Sequence, residues 1–283
     1  MRPLARKQKA ASKMAQSNGA APAPRVVVTG ASEGIGLALA RRFAKAGHDL
    51  LLVARSAAGL EAAAKAIRED YKVQVSCLAV DLSRPEGPAA VEAALAAANV
   101  YADILVNNAG FGLGGAFFEQ DREDVLRMID LNIRGATDLM HRLLPGMRQR
   151  RRGGILNVAS LGGYMPGPYQ AAYYASKAYL ISLSEAVAAE VWGEGVRICV
   201  LAPGPVATKF HERMGTETAF YRYVLWARSA EMVAASGYRG YQWRQRVIVP
   251  GLEYKLAAVV SRFVPHAVLM PILALLLKRR ISA

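Results

Sequence analysis

Residues 26–47 read VVVTGASEGIGLALARRFAKAG. A β-branched run ends at Thr29, a glycine-rich turn follows at once, and an amphipathic stretch opens at Gly34. Ile35, Leu39 and Phe43 recur every four residues and share one helical face, while Arg41, Arg42 and Lys45 can face water. Strand, tight turn and helix form the context in which a glycine cluster cradles a phosphate, because a helix N-terminus has backbone N–H groups to offer. Gly30 permits the turn, Gly34 lets backbone approach a phosphate, and Gly36 lets the helix pack on the strand. The loop as a whole is Gly30, Ala31, Ser32, Glu33, Gly34, Ile35 and Gly36. Its spacing differs from G-x-G-x-x-G, so the flanking strand and helix carry the argument.

Outward from this unit, the pattern repeats. Short runs rich in Val, Ile and Leu recur at 25–29, 49–54, 73–80, 103–107, 154–160 and 196–203. Helical stretches are expected between them, at 34–46, 57–69, 87–98, about 121–149 and about 171–192. Runs apolar on both faces suit parallel strands covered on both sides. The chain therefore predicts an α/β fold, a doubly wound parallel sheet with right-handed crossovers, in a single domain over 25–250. RVIVPG at 246–251 reads as the last strand, and residues 251–283 as a C-terminal helical extension.

The 283 residues carry 36 Lys plus Arg against 22 acids, a formal charge of +14. Hydrophobic residues make up 53% and charged ones 20%, which excludes wholesale disorder. Two cysteines exclude a disulfide scaffold and a four-cysteine zinc module, and no metal is expected. Cys77 and Cys199 fall within strands and read as buried thiols, which fits a reducing, cytoplasmic location. Residues 1–24 form a flexible basic tail without an apolar signal-peptide stretch. Phe263–Leu277 reads FVPHAVLMPILALLL, with Arg262 before it and Lys278, Arg279 and Arg280 after it. Fifteen residues broken by Pro265 and Pro271 are too short to span a bilayer. Three fates remain: packing on the domain, burial in a partner subunit, or a peripheral place in a membrane interface. The excess charge lies largely at the ends, and no basic, aromatic-interleaved face stands out between them, so nucleic acid is not the expected partner.

Two local signals bear on chemistry. The second strand ends in Ala54-Arg55, where an NAD site usually has an acid for the ribose 2′-OH. An Arg there can bind a 2′-phosphate, so NADP(H) is favoured over NAD(H), although Glu33 adds an opposing negative charge to the loop. In AAYYASKAYLISL, Tyr173 and Lys177 stand four apart on one helical face. An ammonium near a phenol favours the phenolate over its usual pKa of about 10, which suits Tyr173 to proton transfer with a carbonyl oxygen. On helical geometry alone, Tyr174 and Tyr179 are rivals.

Taken together, TGxxxGxG at 29–36, Asn107-Asn108-Ala109-Gly110, Asn132, Ser160, Tyr173-x-x-x-Lys177 and Pro203-Gly204 resemble the short-chain dehydrogenase/reductase family over about residues 25–250. The resemblance implies a Rossmann-type domain binding NAD(P), and it selects Tyr173 among the tyrosines. It implies that Tyr173 is the acid/base and that Lys177 holds the nicotinamide ribose and tunes Tyr173. It also implies that Ser160 bonds the substrate oxygen and that Asn132 holds a relay water. Asp81 and Leu82 would contact adenine. Asn107, Ala109 and Gly110 would line the adenine-ribose side, and Pro203, Gly204, Val206 and Thr208 would approach the nicotinamide.

The substrate is expected to be a small-molecule ketone or secondary alcohol, apolar or lipid-like. The segment 208–246, rich in aromatics and methionine, is expected to cover it. A homo-oligomer, dimer or tetramer, follows from the same resemblance. A non-catalytic NADP-binding regulator of this fold is the competing class.

Overall fold

The computed structural model describes residues 21–216 and 227–278. Seven parallel strands form one sheet in the order β3-β2-β1-β4-β5-β6-β7. They are β1 (Ala23–Thr29), β2 (Leu50–Ala54), β3 (Val75–Ala79), β4 (Val100–Asn107), β5 (Gly154–Val158), β6 (Arg197–Leu201) and β7 (Val247–Ile248). The helices covering them include α1 (Gly34–Lys45), α2 (Ala57–Tyr71), α3 (Glu86–Ala97), α4 (Arg122–Ile129), α5 (Ala136–Gln149) and α6 (Ala171–Glu190). The expected doubly wound α/β fold is the one observed, with most element ends within two residues of their expected places.

Alternation along β1 builds both layers. Val26 and Val28 pack with Leu39 and Phe43 of α1 on one face. Val27 packs with Leu139 and Met147 of α5 on the other. Each such side chain, withdrawn wholly from water, contributes about 1.5–3 kcal/mol. The strand order reverses between β1 and β4, with Val28 paired to Val106. At that reversal, adjacent crossovers leave on opposite faces and open a crevice at the strands' carboxyl ends.

Four features differ from the sequence expectation. The helix expected over 121–149 is interrupted by a π-helical turn at Asp130–Gly135. The backbone at Gly135 lies so close to Leu82 that a Cβ there would come 2.2 Å from the Leu82 carbonyl oxygen. The widened turn fits that approach and turns Asn132 inward. Only Val247–Ile248 pairs in the last strand, since Pro250 lacks an N–H and Gly251, at φ 105°, redirects the chain. Cys199 is buried, which pushes its thiol up to about 12. Cys77, on the edge strand β3, is only half-buried.

The apolar C-terminal stretch is not one element. α7 (Phe210–Met214) and α8 (Ala230–Gln242) follow β6, and after β7 come α9 (Leu252–Phe263) and α10 (His266–Leu277). The break falls at Val264, which Pro265 holds in an extended conformation. α10 packs on the domain through Leu273 and Leu277, which meet Met165 and Tyr174. No helix among the described residues is long and apolar enough to cross a membrane.

Candidate functional site

A cavity of about 1090 Å³ opens at the carboxyl ends of the strands, over the β1/β4 reversal. The glycine loop is one wall. Gly30 and Gly34 adopt φ of 64° and 58°, the left-handed region that a side chain resists. A Cβ on Gly36 would lie 2.2 Å from the Gly30 carbonyl oxygen. Thr29, wholly buried, ties the loop to β4 by accepting bonds from the N–H groups of Asn108 and Ala109 at 2.9 Å each. The Asn108 amide donates back to the Thr29 carbonyl at 2.9 Å. No side chain caps α1, so its first-turn N–H groups point at the cavity end of the loop. A tight glycine turn, a close backbone approach and an uncapped helix N-terminus fit the pyrophosphate of a dinucleotide.

The adenosine end is recognisable by charge. Arg55, Asp81 and Leu82 line the cavity, and Ser32 abuts Gly59 at the start of α2. Burial works to raise the Asp81 carboxyl. Bonds from the Ser83 N–H and hydroxyl, with the Arg55 and Arg84 charges, outweigh it and hold the group below its usual value. Arg41, expected to face water, lines the same cavity half-buried, and its Nε has no hydrogen-bond partner. Glu33 forms a bidentate ion pair with Arg213, 180 residues away, with one N–O distance of 3.0 Å.

The chemical end lies on α6. Tyr173 is 8% exposed and Lys177 5%, and both line the cavity with Ser160. The Lys177 ammonium stands 5.7 Å from the Tyr173 ring centroid and donates to the Val158 carbonyl at 3.0 Å. Burial lowers the Lys177 amine to about 8. Ser160 accepts a bond from the Gly162 N–H at 3.1 Å. Of the rival tyrosines, Tyr174 is also a cavity residue, whereas Tyr179 is exposed and bonds Thr137.

Most of the expected residues meet in this cavity: Gly30, Ser32, Glu33, Gly34 and Ile35 of the loop, then Ala109 and Gly110, then Pro203, Gly204, Val206 and Thr208. Three lie behind the wall. Gly36 is packed under Gly30. The Asn107 amide donates to the Ala136 carbonyl at 3.0 Å, on the α5 side. Asn132 is buried, donating to the Phe111 carbonyl at 2.9 Å and to the Ser176 hydroxyl at 3.1 Å, and accepting from the Phe111 N–H.

Within 208–246, Phe210 and Met214 reach the cavity, and Tyr238 and Tyr241 pack on Phe43 instead. Phe220, Tyr221, Tyr223, Leu225 and Trp226 lie outside the described residues. So do Arg279, Arg280 and most of the basic N-terminal segment. Sequence reasoning missed Gln170, Phe111 and the α10 leucines as cavity residues. Gln170 is buried at the N-cap of α6, three residues before Tyr173, a spacing that helical geometry could have flagged.

A parallel sheet with a glycine loop at its reversal, facing a Tyr-x-x-x-Lys pair across one cavity, defines a Rossmann-type dinucleotide-binding domain. The family model described as short chain dehydrogenase matches residues 24–219, and the chain belongs to that family. It is 39% identical over 186 residues to hydroxysteroid dehydrogenase-like protein 1 of Gallus gallus, covering 65% of this chain and 56% of that protein. It is 34% identical over 174 residues to a very-long-chain 3-oxoacyl-CoA reductase of Laccaria bicolor, covering 61% and 52%. It is 38% identical over 185 residues to a Homo sapiens protein named inactive hydroxysteroid dehydrogenase-like protein 1, covering 64% and 56%. The chain thus spans about half the length of these relatives. Among solved structures, a short-chain dehydrogenase from Sphingobium yanoikuyae in complex with NADPH matches with a TM-score of 0.75 at 32% identity, covering 92% of this chain and 98% of that one.

Proposed function

We propose that the protein is an NADP(H)-dependent oxidoreductase acting on an apolar, lipid-like ketone or secondary alcohol. The observation that carries the reading is the placing of Tyr173, Lys177 and Ser160 on the same cavity as the glycine loop. The bound nicotinamide supplies or accepts the hydride. The Ser160 and Tyr173 hydroxyls hold the carbonyl oxygen as charge builds on it, and Tyr173 gives it a proton. Lys177 holds the ribose and favours the Tyr173 phenolate. Asn132 fixes the Phe111 backbone beside Gly110, besides the relay water expected of it.

Preference for NADP(H) is supported by Arg55 and Arg41 on the cavity wall. The Glu33 charge that opposes it is paired with Arg213. An apolar substrate is supported by Phe111, Met165, Phe210, Met214 and Leu273 around Tyr173, and by the relative named for very-long-chain 3-oxoacyl-CoA. We further propose a cytoplasmic homo-oligomer, in which the domain of 25–250 is extended by residues 251–283 and makes peripheral membrane contact through them.

The test is Tyr173→Phe. NADPH consumption over a panel of apolar ketones should fall by about 10²–10⁴-fold while NADPH binding stays within a few-fold. Undiminished turnover would refute the mechanism. The second reading, a non-catalytic NADP-binding regulator, draws on the human relative named inactive. Tight NADPH binding by the wild type with no turnover on the panel would favour it.

A further inference from the structure

Fifteen large apolar side chains are exposed among the described residues, and eight of them belong to α9 and α10. On α9, Leu252, Leu256, Val259 and Phe263 fall on one stripe, with Leu252 and Phe263 81% and 80% exposed. The opposite face, Tyr254, Ala258 and Ser261, is the buried one. On α10, Val268, Ile272 and Leu275 make a second outward stripe, Leu275 being 70% exposed. Ordinary helix packing explains inner stripes, not a second, outward one.

The charges beside these stripes are one-sided. Lys255 and Arg262 are exposed at the border of the α9 stripe, Arg262 lying over the Tyr164 ring at 5.2 Å. Lys278 is exposed at the end of α10. The one acid in 251–278 is Glu253, which is paired with Arg228. An apolar stripe edged by Lys and Arg matches an anionic bilayer surface, with hydrocarbon below the stripe and phosphates within reach of the basic groups. The other face of α10 supplies Leu273, Leu276 and Leu277 to the cavity wall.

We propose that α9 and α10 dock the protein on an anionic membrane, and that an apolar substrate passes from the bilayer to Tyr173 beside α10. The second half rests on the oxidoreductase reading above; the first does not.

Sedimentation with phosphatidylcholine vesicles, with and without about 30% phosphatidylglycerol, tests the docking. Wild type should bind the phosphatidylglycerol vesicles and scarcely the others. Phe263→Glu or Leu275→Glu should lower partition by roughly tenfold or more, and Lys255→Glu with Lys278→Glu by a similar factor. These side chains face outward, so all variants should reduce a water-soluble ketone as wild type does. Phe263→Glu should lose turnover only on a long-chain ketone carried in the vesicles. Absent vesicle binding, or equal binding by wild type and Phe263→Glu, overturns the proposal. So does self-association that Phe263→Glu abolishes while vesicles are not bound, since the face would then cover a second copy. Vesicle binding without turnover of any ketone overturns the oxidoreductase reading and the substrate route, and leaves the docking surface standing.

Discussion

Lys177 and Tyr173 lie one helical turn apart on α6, and the ammonium is anchored by the Val158 carbonyl of β5 at 3.0 Å. The strand, not the phenol, fixes where the amine sits. A bond to that carbonyl holds Lys177 at the base of the cavity at the cost of burying a cation, and its amine is depressed to about 8.

That burial predicts a pH signature. The folded value lies below the unfolded one, so the folded chain binds fewer protons between about 8 and 10.5. The destabilisation is fully present below about pH 8 and is relieved as pH rises toward 10.5. In the cofactor-free protein, wild type should gain up to about 3 kcal/mol relative to Lys177→Met across that window. Urea unfolding at several pH values checks this, and parallel profiles for the two proteins would rule it out.

Gly36 sits where no side chain fits. Gly36→Ala would press a methyl against the Gly30 carbonyl and, at 2.5 Å, against the Asn108 amide. A cost of about 2–3 kcal/mol in unfolding free energy is expected, with loss of NADPH binding. A variant with native stability and native affinity would show that the loop relaxes freely.

Arg55→Asp should reverse the preference between the two nucleotides. NADPH affinity should fall and NADH affinity rise, changing the ratio by roughly tenfold to a hundredfold. Fluorescence titration of both nucleotides measures it. An unchanged ratio would remove Arg55 from the phosphate site.

Asn132→Ala removes two donated bonds and one accepted bond within a buried turn. The Phe111 N–H and carbonyl would lose partners, at a cost of about 2 kcal/mol in stability. Turnover should fall with it, because Gly110 and Phe111 border the cavity. Native thermal stability in this variant would refute the positioning role.

The sheet could be read from the sequence because parallel strands buried on both faces leave long Val, Ile and Leu runs. The glycine loop was legible because strand and helix flank it. What escaped depended on distant contacts. The π turn at Asp130–Gly135 follows Gly135 meeting the Leu82 carbonyl, and a one-residue widening scarcely alters apolar periodicity. Asn107 and Asn108 look alike in sequence, yet alternation turns Asn107 toward α5 and leaves Asn108 to brace the loop. Glu33 and Arg213 meet across 180 residues, and no local pattern announces that. α10 read as a membrane or partner segment because its hydrophobicity runs nearly all round. The structure divides it between a cavity face and an outward face.

The pairing of β1 with β4 has a consequence for biosynthesis. β1 begins the sheet, yet one of its two neighbours arrives only with residues 100–107. Until those residues have been made, a nascent chain leaves one edge of Val26–Val28 unpaired and adhesive. Fragments stopping short of residue 100 should therefore aggregate on the ribosome or need a chaperone, and those reaching past Asn107 should be markedly better behaved.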